Sequence, residues 1–235
     1  MNLNNWRKYA YISNMVGCIQ FVILTFIGML FYAGGTLLHP NRPGYSFFQN
    51  FFSEIGLTVA QSGEPNTISF IFFSLAFFIV GILLVPSFIA FPYLFRETRN
   101  EKLITKIGSI LGLFTCFCFS GITFAPADIY LAAHACFVRM GFSLGFVVSL
   151  LYSSAIYINP SYPKLYAYNF MVFTIFLGLY LILLFAGPST ETVVGLTIQA
   201  TGQKIILYFF AICLFIHGYG AWNQEKNSLS KSKQM

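Results

Sequence analysis

Six apolar stretches, each long enough to cross a hydrocarbon core, decide what this chain can fold into. They lie near residues 10–38, 67–95, 103–126, 129–158, 166–187 and 203–222, and a crossing takes about 20 residues of helix. A spanning segment must satisfy its own backbone, and none of the six alternates polar and apolar residues as barrel strands do. The sequence therefore predicts an all-α, polytopic membrane protein, a six-transmembrane-helix bundle. Composition agrees: 9% of residues are charged, against roughly 25% in soluble domains. The net charge of +6 comes from short basic clusters between the apolar runs, which argues against a nucleic-acid partner and reads as a topology signal.

Arg7, Lys8, Arg96, Arg99, Lys102, Lys106, Lys164, Lys226, Lys231 and Lys233 fall on one side of the six spans, Arg42 and Lys204 on the other. Basic residues stay cytoplasmic, so both termini are expected in the cytoplasm of a cell whose plasma membrane holds the chain. The first span is longer than a signal-peptide core, and no processing is expected. Residues 1–225 read as one domain and 226–235, rich in Ser and Lys, as an unstructured tail. Cys18, Cys116, Cys118, Cys136 and Cys213 all fall within spans and read as small buried side chains. No cofactor is expected: a haem between His134 and His217 would need both at one depth, which this topology denies.

Small residues recur every four positions in the third span (Gly108, Gly112, Cys116, Ser120) and in the fourth (Gly141, Gly145, Ser149, Ser153). Such stripes let helices approach closely in lipid, and two on consecutive spans predict a tight hairpin. The alternative use of either stripe is a seam between two copies, a homo-oligomer.

The connection between the first two spans contains YSFFQNFFSEIG, residues 45–56. Wound as a helix, it puts Phe47, Phe48, Phe51, Phe52 and Ile55 on one face and Gln49, Asn50, Ser53 and Glu54 on the other, predicting an interfacial amphipathic helix. Other polar groups are expected at the same depth. His39 ends the first span, Asp128 is a candidate N-cap for the fourth, and His134 and Arg139 follow inside that helix. An arginine inside a span needs a partner or a wet cavity, and Glu54, Asp128 and Glu191 are its candidate counter-ions. Glu191, Gly195, Gln199 and Gln203 add a polar line four residues apart. Together these residues predict an outward-facing polar pocket. Only His39 and His134 lie on that side, so a three-histidine metal site would be incomplete and no metal is expected.

The run Ser53-Glu54-Ile55-Gly56, then Gly63-Glu64-Pro65-Asn66, and later Phe124-Ala-Pro-Ala-Asp128 with His134, resembles the bacterial and archaeal membrane family called domain of unknown function 998. The likeness covers most of residues 1–160, and the remainder is similar in hydropathy alone. It is looser to the Frag/DRAM/Sfk-type six-span proteins, which include a lipid-remodelling factor. These resemblances imply a multi-pass helical architecture with a serine-acid-x-glycine motif after the first span.

Two classes of function fit. In the first, membrane lipids are the partner: Ser53, Glu54, Asp128 and His134 bind or modify a lipid headgroup, and Arg139, with His39 and Gln203 nearby, binds its phosphate. In the second, Arg139, an acid and His134 form the relay of a proton-coupled carrier or a membrane sensor. Neither a G-x-S-x-G elbow nor an H-E-x-x-H helix is present.

Overall fold

The computed structural model describes residues 5–95 and 97–231, with side chains to residue 228. Arg96, Lys233 and the tail end 232–235 lie outside the described residues. Among the described residues, six helices are long and apolar enough to cross a membrane: α1 (Trp6–Leu30), α2 (Thr67–Ala90), α3 (Arg99–Gly121), α4 (Leu131–Ile158), α5 (Lys164–Ala186) and α6 (Val193–Lys231). Each packs against the next, and α6 returns to α1, so the helices form a closed ring in chain order. Aromatic rings fill the middle, with Phe77 within 6.2 Å of Phe21, Phe52, Phe73 and Phe119 between ring centroids. The outside is apolar: Phe26, Phe117, Leu179 and Ile182 are each more than half exposed, a surface suited to lipid rather than water.

Local chemistry sets the helix ends. Thr98 and Glu101 make a reciprocal capping box at the start of α3, and Pro163 precedes α5. At the same end of the bundle, Arg7 pairs with buried Glu225 at 2.7 Å, tying α1 to α6. The first helix stops at Leu30, well short of residue 38, because Gly34 and Gly35 turn the chain with φ of +116° and +83°. A Cβ on Gly35 would sit 2.3 Å from the backbone N of Ser62, so the turn needs glycine.

The sixth helix differs most from expectation. It begins at Val193, ten residues before the predicted span, and continues to Lys231 through the first part of the tail read as unstructured.

The small-residue stripes are used in two ways. Positions for a Cβ on Gly108 and Gly141 face Tyr152 of α4 and Phe119 of α3, as a hairpin requires. Gly112 instead faces the ring of Phe88 in α2, and Gly145 has no neighbour nearer than 3.7 Å. The third helix therefore makes close contacts on both sides, to α2 as well as α4.

Candidate functional site

Residues 31–66 form a cap over the end of the ring opposite Arg7 and Glu225. The expected amphipathic helix at 45–56 is absent: the chain makes turns and then one 3-10 helix, Phe52–Gly56. Phe52 and Ile55 are fully buried and Phe47 and Phe48 exposed, so the four phenylalanines do not share a surface. The physical reason is polar anchoring. The Gln203 side chain in α6 accepts hydrogen bonds from the backbone N–H of Phe52 at 2.7 Å and of Ser53 at 3.4 Å. Asn66, 1% exposed, donates to the carbonyls of Ile55 and Leu57 and accepts from Ala33 N–H. These bonds draw the segment into the bundle, where an interfacial helix would lie across it.

Glu54 is consequently 4% exposed. Both of its oxygens accept from side-chain amides: Oε2 from Asn50 Nδ2, and Oε1 from Gln61 Nε2 at 3.1 Å. Asn50 is itself fixed, since its Oδ1 takes the N–H of Ser46 at 2.7 Å and its Nδ2 also reaches the carbonyl of Gly35 at 2.7 Å. Behind Asn50 lies Lys204, fully buried, whose Nζ donates to the Asn50 and Ala200 carbonyls. Its ammonium stands 5.3 Å from the ring centre of Tyr45 and 5.4 Å from that of Phe47, within cation–π range. Among the described residues Glu54 and Lys204 form no direct ion pair; Asn50 stands between them. Burial pushes the Glu54 carboxyl up to about 7, against the opposing pull of the two amides and Lys204.

A scan against protein-family models and searches of curated proteins and of solved structures find no match to the chain.

The remaining candidate residues do not converge on Glu54. Asp128 does not cap α4, whose N-cap position is Tyr130. Its Oδ2 accepts from the N–H of Thr58 and of Val59 and from the Thr58 hydroxyl, pinning the cap to the corner between α3 and α4. Partial burial raises its pKa, but those hydrogen bonds outweigh it and leave the carboxyl below the usual value. This tie is thus complete above the ordinary carboxylate range and lost as pH falls through the lowered value.

His134 is buried, with Nδ1 2.9 Å from the carbonyl of Ala125. Donation to that carbonyl puts the proton on Nδ1 and leaves Nε2 as acceptor. Ser53, His134 and Gln203 line one crevice of about 10 Å³, the size of a single water. His39 is exposed in the turn that follows Gly35, and Glu191 is exposed ahead of α6. Among the described residues, no group of three His, Cys, Asp or Glu side chains could hold a metal ion.

Arg139 corrects the sequence reading most sharply. It is exposed on the outside of α4 and forms no ion pair with a described residue. Five residues separate it from His134, a rotation of about 140° on a helix. With His134 turned inward, Arg139 must face out. Its long side chain can run along the helix to the headgroup layer, which lowers the cost of its charge without a protein partner.

The residues that build the site, Asn50, Gln61 and Lys204, were not singled out in the sequence. The spacing of Asn50 and Glu54, four residues apart, is a visible signal. Lys204 is hidden because the predicted span starts at residue 203, which puts it at the water-facing end of that span rather than three turns inside α6.

Proposed function

We propose that the protein is a proton-responsive membrane sensor, in which the charge on Glu54 sets the state of the outer cap. What supports this reading is the placement of one buried carboxyl between a fixed amide and a movable one. As a carboxylate, Glu54 accepts from both Asn50 and Gln61. Once protonated, one oxygen becomes a donor and needs an acceptor. Asn50 cannot supply it, because its oxygen already holds Ser46. Gln61 can, by turning its amide. Gln61 also takes part in the cap through its backbone N–H, bonded to the Tyr32 hydroxyl at 3.1 Å. A proton on Glu54 thereby rewrites a contact between the 3-10 turn and the 57–66 strip. The groups that act electrostatically on or with Glu54 are Lys204, Tyr45 and Tyr32.

The relay of this sensor is acid, amide and lysine, in place of the arginine and histidine expected from the sequence. The lipid-headgroup reading draws its support from the crevice shared by Ser53, His134 and Gln203, which must widen to admit more than water. Cytoplasmic termini, residence in the plasma membrane and kinship to the domain of unknown function 998 family belong to the same proposal. The basic residues at the Arg7 and Lys102 end of the ring and the Ser53-Glu54-Ile55-Gly56 turn support them.

Hydrogen exchange of the purified full chain on either side of pH about 7 tests the sensor. Amides around Gln61 and Tyr32 are expected to change protection between the two conditions in the wild type. In Glu54→Gln, whose amide reproduces the donor and acceptor of the protonated acid, they are expected to stay the same. Protection that ignores pH in the wild type, or keeps its pH dependence in the variant, would remove the switch.

A further inference from the structure

At the opposite end of the ring from Glu54, a groove of about 720 Å³ opens between the end of α2 and the start of α3. Its walls change character along its length. Lys102 and Lys106, one turn apart on α3, stand at the rim, and Ile110 and Leu113 continue the same wall deeper, facing Ile89 and Tyr93. Both lysines are exposed and pair with no acid among the described residues. From Lys102 to Leu113 is eleven residues, about 16 Å of helix, close to half the thickness of a hydrocarbon core.

We infer that this groove holds one anionic phospholipid of the leaflet next to the lysine-rich loop, its phosphate between Lys102 and Lys106 and a chain laid along Ile110 and Leu113. Charge decides the occupant: two unpaired cations at headgroup depth favour an anionic head over a zwitterionic one. The run from cations to exposed Ile110 and half-buried Leu113 then matches an amphiphile rather than a free phosphate. The volume lies in the range of small-molecule sites. This site is independent of the Glu54 cluster and stands whether or not the cap responds to protons.

The test is native mass spectrometry of the full chain titrated with phosphatidylglycerol and, separately, phosphatidylcholine. The wild type is expected to retain phosphatidylglycerol in preference. The double variant Lys102→Gln, Lys106→Gln is expected to lose that preference by about tenfold or more. A control that removes as many charges from the same end, Lys8→Gln with Lys226→Gln, is expected to stay within about twofold. Ile110→Trp, which keeps both lysines but fills the groove, is expected to weaken retention. Equal retention of both lipids by the wild type, equal loss in the control, or full retention in Ile110→Trp would each overturn the assignment.

Discussion

Lys204→Met is expected to destabilise the protein by about 1–3 kcal/mol, the usual cost of leaving buried hydrogen-bond acceptors without their donor. The lysine is fully buried, donates to two backbone carbonyls and is the nearby cation that favours the Glu54 carboxylate. Without it, an ionised Glu54 keeps its two amide donors but loses its compensating charge. The effects of Lys204→Met and Glu54→Gln should not add, because each removes the same Lys204–Glu54 interaction. Melting temperatures of the wild type, the two single variants and the double variant measure the coupling. A Lys204→Met loss untouched by Glu54→Gln would show that Lys204 acts through its carbonyl hydrogen bonds and packing alone.

Gly112→Leu is the second large effect. A Cβ there would lie 2.3 to 2.8 Å from three atoms of the Phe88 ring, and Phe88 is buried against Tyr152 at 6.1 Å between centroids. Ring and backbone must both move, so even alanine should cost about 1–3 kcal/mol and leucine more. Gly145→Ala makes the contrast. Its new methyl would meet neighbours only at 3.7 to 3.9 Å, ordinary contact, and should change stability by less than about 1 kcal/mol. The sequence treats these two glycines as equivalent members of matching stripes. Equal melting temperatures for Gly112→Ala and Gly145→Ala would contradict the packing of α3 against α2.

Why some features were legible and others were not follows from the kind of information each needs. The number of helices and the spans from Thr67 to Ile158 came from the length of apolar runs, because lipid permits only helices or barrels. The end of α1 was not legible, since Ala33-Gly34-Gly35-Thr36-Leu37-Leu38 is as apolar as the span before it and only the positive φ angles stop the helix. The start of α6 failed for the opposite reason. Thr197, Gln199 and Gln203 look like loop residues, yet Gln203 is spent on the backbone of the cap and Gln199 on the Pro188 carbonyl. The partner of Gln203 lies 151 residues away in the chain, beyond any local pattern.

For the site, Glu54 was recognised as an acid needing an explanation, and the structure supplies a different one. The burial of Arg139 was assumed from its position within a span, but span membership does not fix the face. The phase relative to His134 does. With Arg139 outside the ring, the acid's compensating charge had to come from elsewhere, and only the extended α6 brings Lys204 beneath the cap.

Proton sensing requires Glu54 to change its charge near neutrality while the protein remains folded. In the folded state it binds a proton up to about 7, against an ordinary value of 4.5. Between those values the folded chain holds more proton than the unfolded one, so stability falls as pH rises through this window, by about 3 kcal/mol in total. The most direct test is difference infrared spectroscopy of the protonated carboxyl stretch as the full chain is titrated, with Glu54→Gln as reference. A band that disappears with a midpoint near 7 and is missing from the variant is expected. A carboxyl band lost only near the ordinary value of 4.5, or one that persists unchanged in Glu54→Gln, would contradict proton sensing by Glu54.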